Sequence, residues 1–232
     1  ETEAALGSKQ RALNYLMDIQ KTHPDYTEAY LFAARLFFED NNLSDAVSQC
    51  KRGLDAQADS AKILRYIGEI YHLSGSQENA YQYYRMAVAA NSEDVEAQIS
   101  MGNILIEKDL YEQALGHFEK ALKLDSGNYS ATVGKANTLR KSGKNAEAIA
   151  ILEEAVKNEP MEGAAYGALA MAQELTDVED KVILKNYALA VKLSAKDVNI
   201  WNAYVDFMMK DQDQKQAVKV LQNYLTHFPE AM

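Results

Sequence analysis

Residues 95–128 read VEAQISMGNILIEKDLYEQALGHFEKALKLDSGN. Apolar side chains recur there at three- and four-residue steps, through Leu105, Ala114, Phe118 and Ala121, which marks helical faces. Lys108-Asp109 interrupts the pattern with turn-forming residues. The pair Met101-Gly102 has counterparts at Ile67-Gly68 and Lys135-Ala136, 34 residues to either side. Used as a ruler, that spacing divides the chain into units at 27–60, 61–94, 95–128, 129–162, 163–197 and 198–232, after a partial unit over 1–26. The fifth unit needs one extra residue between Thr176 and Lys181.

Small and large residues fall into columns. The eighth position of each unit holds Ala34, Gly68, Gly102, Ala136, Ala170 and Val205. The twentieth holds Ala12, Ala46, Ala80, Ala114, Ala148, Ile183 and Ala217, and the twenty-seventh Ile19, Gly53, Ala87, Ala121, Ala155, Ala190 and Tyr224. Bulk gathers at the twenty-fourth, with Leu16, Tyr84, Phe118, Leu152, Tyr187 and Leu221, and Cys50 as the small exception. Pro24, Pro160 and Pro229, all the prolines there are, share the thirty-second. Small side chains let antiparallel helices approach, large ones fill the grooves between them, and proline stops the second helix. Turns are predicted at Asn41-Asn42, Gly75, Lys108-Asp109 and Gly143. Each unit is then a helical hairpin that cannot cover its own apolar faces, and stacking the hairpins covers them as an all-α solenoid.

These columns resemble the tetratricopeptide repeat (TPR) family. The resemblance implies a right-handed α-solenoid of stacked antiparallel hairpins, forming one solenoid domain. Gln98 and Thr132 depart from it at the fourth position, where Tyr30, Leu64, Tyr166 and Trp201 keep the usual bulk, and Ile183 and Tyr224 depart at alanine positions. The fifth and sixth units are therefore expected to pack least regularly. Residues 8–22 read as a second helix whose partner is mostly missing, with residues 1–6 at best the last turn of that partner. Leu13, Leu16, Val220 and Leu221 are expected near uncovered ends. Two expectations follow: a segment of a longer array, or self-association through the repeat ends.

Composition excludes other classes. Apolar residues make up 47% of the 232 and prolines number 3, which is unlike a disordered chain. No run of about 18 apolar residues is present, so no membrane insertion by this segment is expected. A net charge of −10 argues against nucleic acid as a partner. The single cysteine, Cys50, allows no internal disulfide and falls at a core position, where a buried thiol is expected. The four histidines, His23, His72, His117 and His227, have no metal-ligand spacing. Gly134-Lys135 and Gly143-Lys144 lack the earlier glycine of a phosphate loop. Asp177, Glu179 and Asp180 lack the glycine and distal glutamate of a calcium loop. No nucleophile elbow occurs. Asn42-Leu43-Ser44 and Asn128-Tyr129-Ser130 match the short glycosylation pattern. No catalysis, metal or cofactor is expected.

The resemblance further implies a concave groove lined by first helices, accepting a peptide or partner segment. Its N-terminal end would hold Leu31, Phe32, Arg35 and Phe38, followed by Arg65, Tyr66, Glu69 and His72. Ile99, Asn103, Ile106 and Glu107 come next, then Val133, Asn137, Arg140 and Lys141. Met171, Glu174, Asn202 and Asp206 complete it. Asn103 and Asn137 share one phase, and an amide that donates and accepts can hold a peptide backbone. Ser126 to Ala146 lacks acidic residues while holding Lys135, Arg140, Lys141 and Lys144, a local positive stretch suited to a partner's carboxylates; a solvated face is the plainer reading. The clamp by which some relatives hold a C-terminal carboxylate is absent, because Leu31, Arg65, Ile99 and Val133 occupy the fifth position instead of lysine. The expected function is a non-catalytic scaffold or adaptor. The alternative is a targeting or regulatory arm of a larger enzyme, or of an envelope secretion or assembly machine.

Overall fold

The structure, a computed structural model, describes residues 3–158, 162–210 and 214–227. The described residues form thirteen α-helices and no strand. Two compact units divide between Ser126 and Gly127. The first holds α1 (Glu3–Thr22), α2 (Thr27–Glu39), α3 (Leu43–Asp55), α4 (Ser60–Leu73), α5 (Gln77–Ala90), α6 (Val95–Glu107) and α7 (Tyr111–Leu124). The second holds α8 (Tyr129–Lys141), α9 (Asn145–Asn158), α10 (Gly163–Gln173), α11 (Asp180–Leu193), α12 (Val198–Lys210) and α13 (Gln214–His227). Pro160, Pro229 and the side chain of Ala217 lie outside the described residues.

Local chemistry sets the hairpins. Four turns of three residues, 40–42, 74–76, 108–110 and 142–144, close in the same way. Their middle residues, Asn41, Gly75, Asp109 and Gly143, take positive φ of 57°, 79°, 58° and 83°. The following amide reaches back five residues in each case: Asn42 to Phe37, Ser76 to Tyr71, Leu110 to Leu105 and Lys144 to Leu139, at 2.8–3.0 Å. That pattern satisfies carbonyls left open at a helix C-terminus. First helices open on polar caps: Asp59, Asp94 and Asn128 accept from the amides of Lys62, Ala97 and Ala131 at 3.0–3.1 Å. The connection 174–179 is twice as long as the other turns and takes up the extra residue of the fifth unit. At the other end, α1 starts at Glu3 without a break, so residues 3–6 extend this helix and are not the last turn of an earlier one.

The packing is dictated by the columns. In the first unit α2 packs on α3, α4 on α5 and α6 on α7, and neighbouring hairpins meet through α3–α4 and α5–α6. Gly68 lies so close to Tyr84 that a Cβ would sit 2.6 Å from the ring, and Gly102 bears the same relation to Phe118 at 2.7 Å. The small eighth position thus faces the large twenty-fourth of its own hairpin. In the second unit α8 packs on α9, α10 on α9 and α11, and α12 on α11 and α13. Tyr187 stacks on Tyr204 at 5.4 Å, and Trp201 meets Tyr224 edge-on at 6.0 Å. Ring packing there takes the place of the missing small residues. Within each unit the first helices touch one another, α2 with α4, α4 with α6, α8 with α10 and α10 with α12. The second helices make no such contacts among the described residues, so each unit bends towards its first helices.

Candidate functional site

In the first unit the wall formed by α2, α4 and α6 mixes apolar and charged groups. Phe32 is 54% exposed, and Leu31, Tyr66, Phe38 and Ile106 are half-buried. Leu73, 65% exposed, shares the thirteenth position with Glu107 and Lys141, and the repeat register could have singled it out. Arg35 pairs with Glu39 at 3.1 Å, and Arg65 lies 3.9 Å from Glu69. The Nε of Arg65 is buried without a hydrogen-bond partner. Burial, with Glu69 nearby, pushes the Tyr66 hydroxyl up to about 12, against the opposing pull of Arg35. His72 Nε2 meets Glu107 across α4 and α6 at 2.7 Å, and Gln77 also donates to Glu107 at 3.1 Å. Asn103 is exposed. Ile99, however, is only 5% exposed, so it belongs to the packing and not to an open wall.

The second unit holds the remaining candidates. Val133, Asn137, Arg140 and Met171 are half-buried, and Lys141 and Asn202 are exposed. The stretch without acidic residues does not stay purely positive after folding. Tyr187 donates to Glu174, which also accepts from Lys210 at 3.0 Å. Burial and Glu174 raise the Tyr187 hydroxyl, Asp206 adds to the rise, and Arg140 opposes it. Chain segments far apart in sequence therefore bring Glu174 and Asp206 close to the Tyr187 that Arg140 also influences. The Nε of Arg140 is likewise buried without a hydrogen-bond partner. Asn103 falls in the first unit and Asn137 in the second.

The remaining sequence features resolve individually. Gln98 is fully buried, donating to Ser92 O at 2.8 Å and bonding His117 Nδ1 at 2.7 Å. The polar residue at a bulky position is thus matched by a polar partner. Asn42 and Asn128 both serve as helix N-caps. Cys50 is fully buried, and burial pushes its thiol up to about 12. Leu13 and Val220 are buried, unlike the open ends expected of them, whereas Leu16 is half-buried and Leu221 exposed. Among the described residues no group of three or more His, Cys, Asp or Glu is placed to hold a metal ion. No described helix is long and apolar enough to cross a membrane.

A groove of about 380 Å³ opens at the start of the first unit, lined by Ala12, Tyr15 and Leu16 of α1 and Phe32, Arg35, Leu36 and Glu39 of α2. Tyr15 is 69% exposed there.

Comparison with known proteins agrees with this architecture. Two family models described as tetratricopeptide repeat match residues 105–173, and residues 2–61 and 34–95. Tetratricopeptide repeat protein 21B of Xenopus laevis is 27% identical over 157 residues, covering 68% of this chain and 12% of that protein. Human protein O-mannosyl-transferase TMTC1 is 24% identical over 147 residues, covering 60% of this chain and 16% of that protein. The chain therefore spans a small part of the length of either relative. Among solved structures, pilF of Pseudomonas aeruginosa has a TM-score of 0.67 at 16% identity, covering 88% of this chain and 92% of that one, a likeness of fold. The repeated hairpins, the glycine-on-ring contacts and the matching family models together make this chain a member of the tetratricopeptide repeat family.

Proposed function

We propose that the chain is a non-catalytic scaffold whose first helices hold a segment of another protein. What supports this reading is the contact of first helix with first helix, together with the exposure of Phe32, Leu73 and Asn103 and the half-burial of Tyr66 on those helices. Apolar side chains there supply area, and the asparagine and arginine groups supply donors. A hydrogen bond to a charged group contributes about 1.5–3 kcal/mol. A micromolar complex needs about 8 kcal/mol net. One side chain does not reach that, so the partner engages several helices at once. Substituting Phe32, Leu73 and Asn103 together with alanine is expected to weaken capture of the partner at least tenfold while helicity stays unchanged. Equal capture by wild type and triple variant, compared in one pull-down, removes the groove assignment.

A second reading is favoured by the similarity to the O-mannosyl-transferase: the array serves as the targeting arm of a larger enzyme. On that reading, deleting the array from the full polypeptide changes which protein substrate is modified and leaves turnover of a minimal acceptor intact. Unchanged substrate choice after deletion removes it.

A further inference from the structure

Among the described residues, Arg140 is the one arginine that is withdrawn from water and has no acceptor. Arg35 and Arg65 have carboxylates at 3.1 and 3.9 Å, and Arg11 and Arg52 donate to neutral oxygens at 3.1 Å. Arg85 is exposed. Arg140, in the last turn of α8, is half-buried with its Nε sealed from solvent, and its guanidinium makes no hydrogen bond or ion pair. A charge and a donor withdrawn from water without an acceptor are both unfavourable. The acceptors that fold nearby are taken. Tyr187, whose hydroxyl feels the charge of Arg140, donates to Glu174, and Glu174 also accepts from Lys210 at 3.0 Å. Asp206 stands on α12, which packs on α10, α11 and α13 and not on α8. The α8 helix itself has no acidic residue. One turn before Arg140, on the same face, Asn137 is half-buried, and its side-chain amide has no hydrogen bond among the described residues either.

We propose that Arg140 and Asn137 receive one carboxylate of a partner protein, an aspartate or glutamate side chain inside a segment that has apolar residues on both sides of it. A guanidinium forks onto the two oxygens of a carboxylate. The asparagine amide donates beside it and accepts from the backbone of the same segment. The apolar flanks match Val133, one turn before Asn137, and Met171 on the neighbouring α10, both half-buried. Neither offers anything to the charge of a chain terminus, so the acid is internal and the segment runs on past it. That the occupant is a protein segment rests on the scaffold reading. Its acidity is read from the second unit alone, from residues that the test of that reading leaves untouched.

The probe is acetyl-leucyl-glutamyl-leucinamide, titrated into the isotope-labelled intact chain while nuclear magnetic resonance follows the Nε–H signal of Arg140 and the side-chain amide of Asn137. The arginine signal is identified by its loss in Arg140→Gln. Both signals are expected to shift saturably with one shared Kd. The glutaminyl counterpart is expected to bind at least tenfold more weakly. Acetyl-leucyl-glutaminyl-leucine, whose sole carboxylate is its terminus, is expected to bind no better than that. Arg140→Gln is expected to abolish the preference for the glutamyl probe, and Arg85→Gln to leave it intact. The Phe32, Leu73 and Asn103 variant is expected to bind the probe as wild type does, so failure of the first-unit wall and failure of this site are told apart. Because Arg140 makes no bond within the fold, Arg140→Gln is expected to keep the wild-type urea midpoint. A clearly lowered midpoint would make Arg140 a structural residue and overturn the proposal. Equal binding of glutamyl and glutaminyl probes overturns it too, as does a terminal carboxylate that binds as well as the internal one, or no saturation up to the solubility limit of the probe.

Discussion

At Gly102 the volume a side chain needs is already filled by the ring of Phe118, and at Gly68 by the ring of Tyr84. Gly116, in the exposed middle of α7, meets nothing within 4 Å. The two glycines therefore answer alanine in opposite ways. Gly102→Ala is expected to cost about 1–3 kcal/mol by forcing the hairpin apart. Gly116→Ala is expected to add about 0.5–1 kcal/mol, because alanine loses less backbone freedom in a helix. Urea titrations of the two variants check this, and a stabilising Gly102→Ala would displace that residue from the hairpin contact. The same contrast shows what is legible in a column of small residues. Gly102 recurs at one phase and announces a close approach, whereas Gly116 has no counterpart and reads as surface. Exposure at the fifth position was less legible. Ile99 and Leu31 share that phase, yet Ile99 is buried and Leu31 is half-open, because burial there depends on the bulk carried by neighbouring helices.

The hairpin of α6 and α7 carries a polar contact at a place where its relatives in the array use bulk. Gln98 is sealed from solvent and bonded to His117, whose imidazole burial holds its pKa below the usual value of 6.5, with Lys120 adding to the effect. The unfolded chain takes up that proton near pH 6.5 and the folded chain does so only at lower pH. Stability from this site is therefore complete above pH 6.5 and declines as pH falls through the folded value. Thermal unfolding at pH 7.5 and pH 5 is expected to show a larger loss for wild type than for His117→Gln, which titrates nothing. An identical pH dependence in the two would mean that His117 is solvated. The irregular residue was visible in the sequence, but its partner was not, since nothing in the 34-residue rhythm links positions 98 and 117. The start of α1 was misread for a related reason. Residues 3–6 carry no turn signal of their own, and a helix continues until something stops it.

Across the whole chain the rhythm settles the fold class from sequence, because every unit repeats the same few constraints at the same spacing. The division at Ser126 and Gly127 was not read from the sequence, because the 34-residue period runs through it unbroken, although the acid-free stretch begins there. Nor was the surrounding of Arg140: a run of 21 residues without acids looks basic on paper, while Glu174 and Asp206 reach the neighbouring Tyr187 only after folding.

Stability in such an array is local, each hairpin leaning on its neighbours. Cys50, the sole thiol, is shut inside the cluster of Tyr30, Ala34, Ile63 and Ile67. Its alkylation rate is consequently a clock for the breathing of one hairpin, with no background from any other sulfhydryl. Under native conditions Ile63→Ala is expected to speed that clock by an order of magnitude or more, and Trp201→Ala, far along the chain, to leave it running at its wild-type pace. Equal acceleration by both would mean that the thiol is released only when the entire polypeptide opens at once.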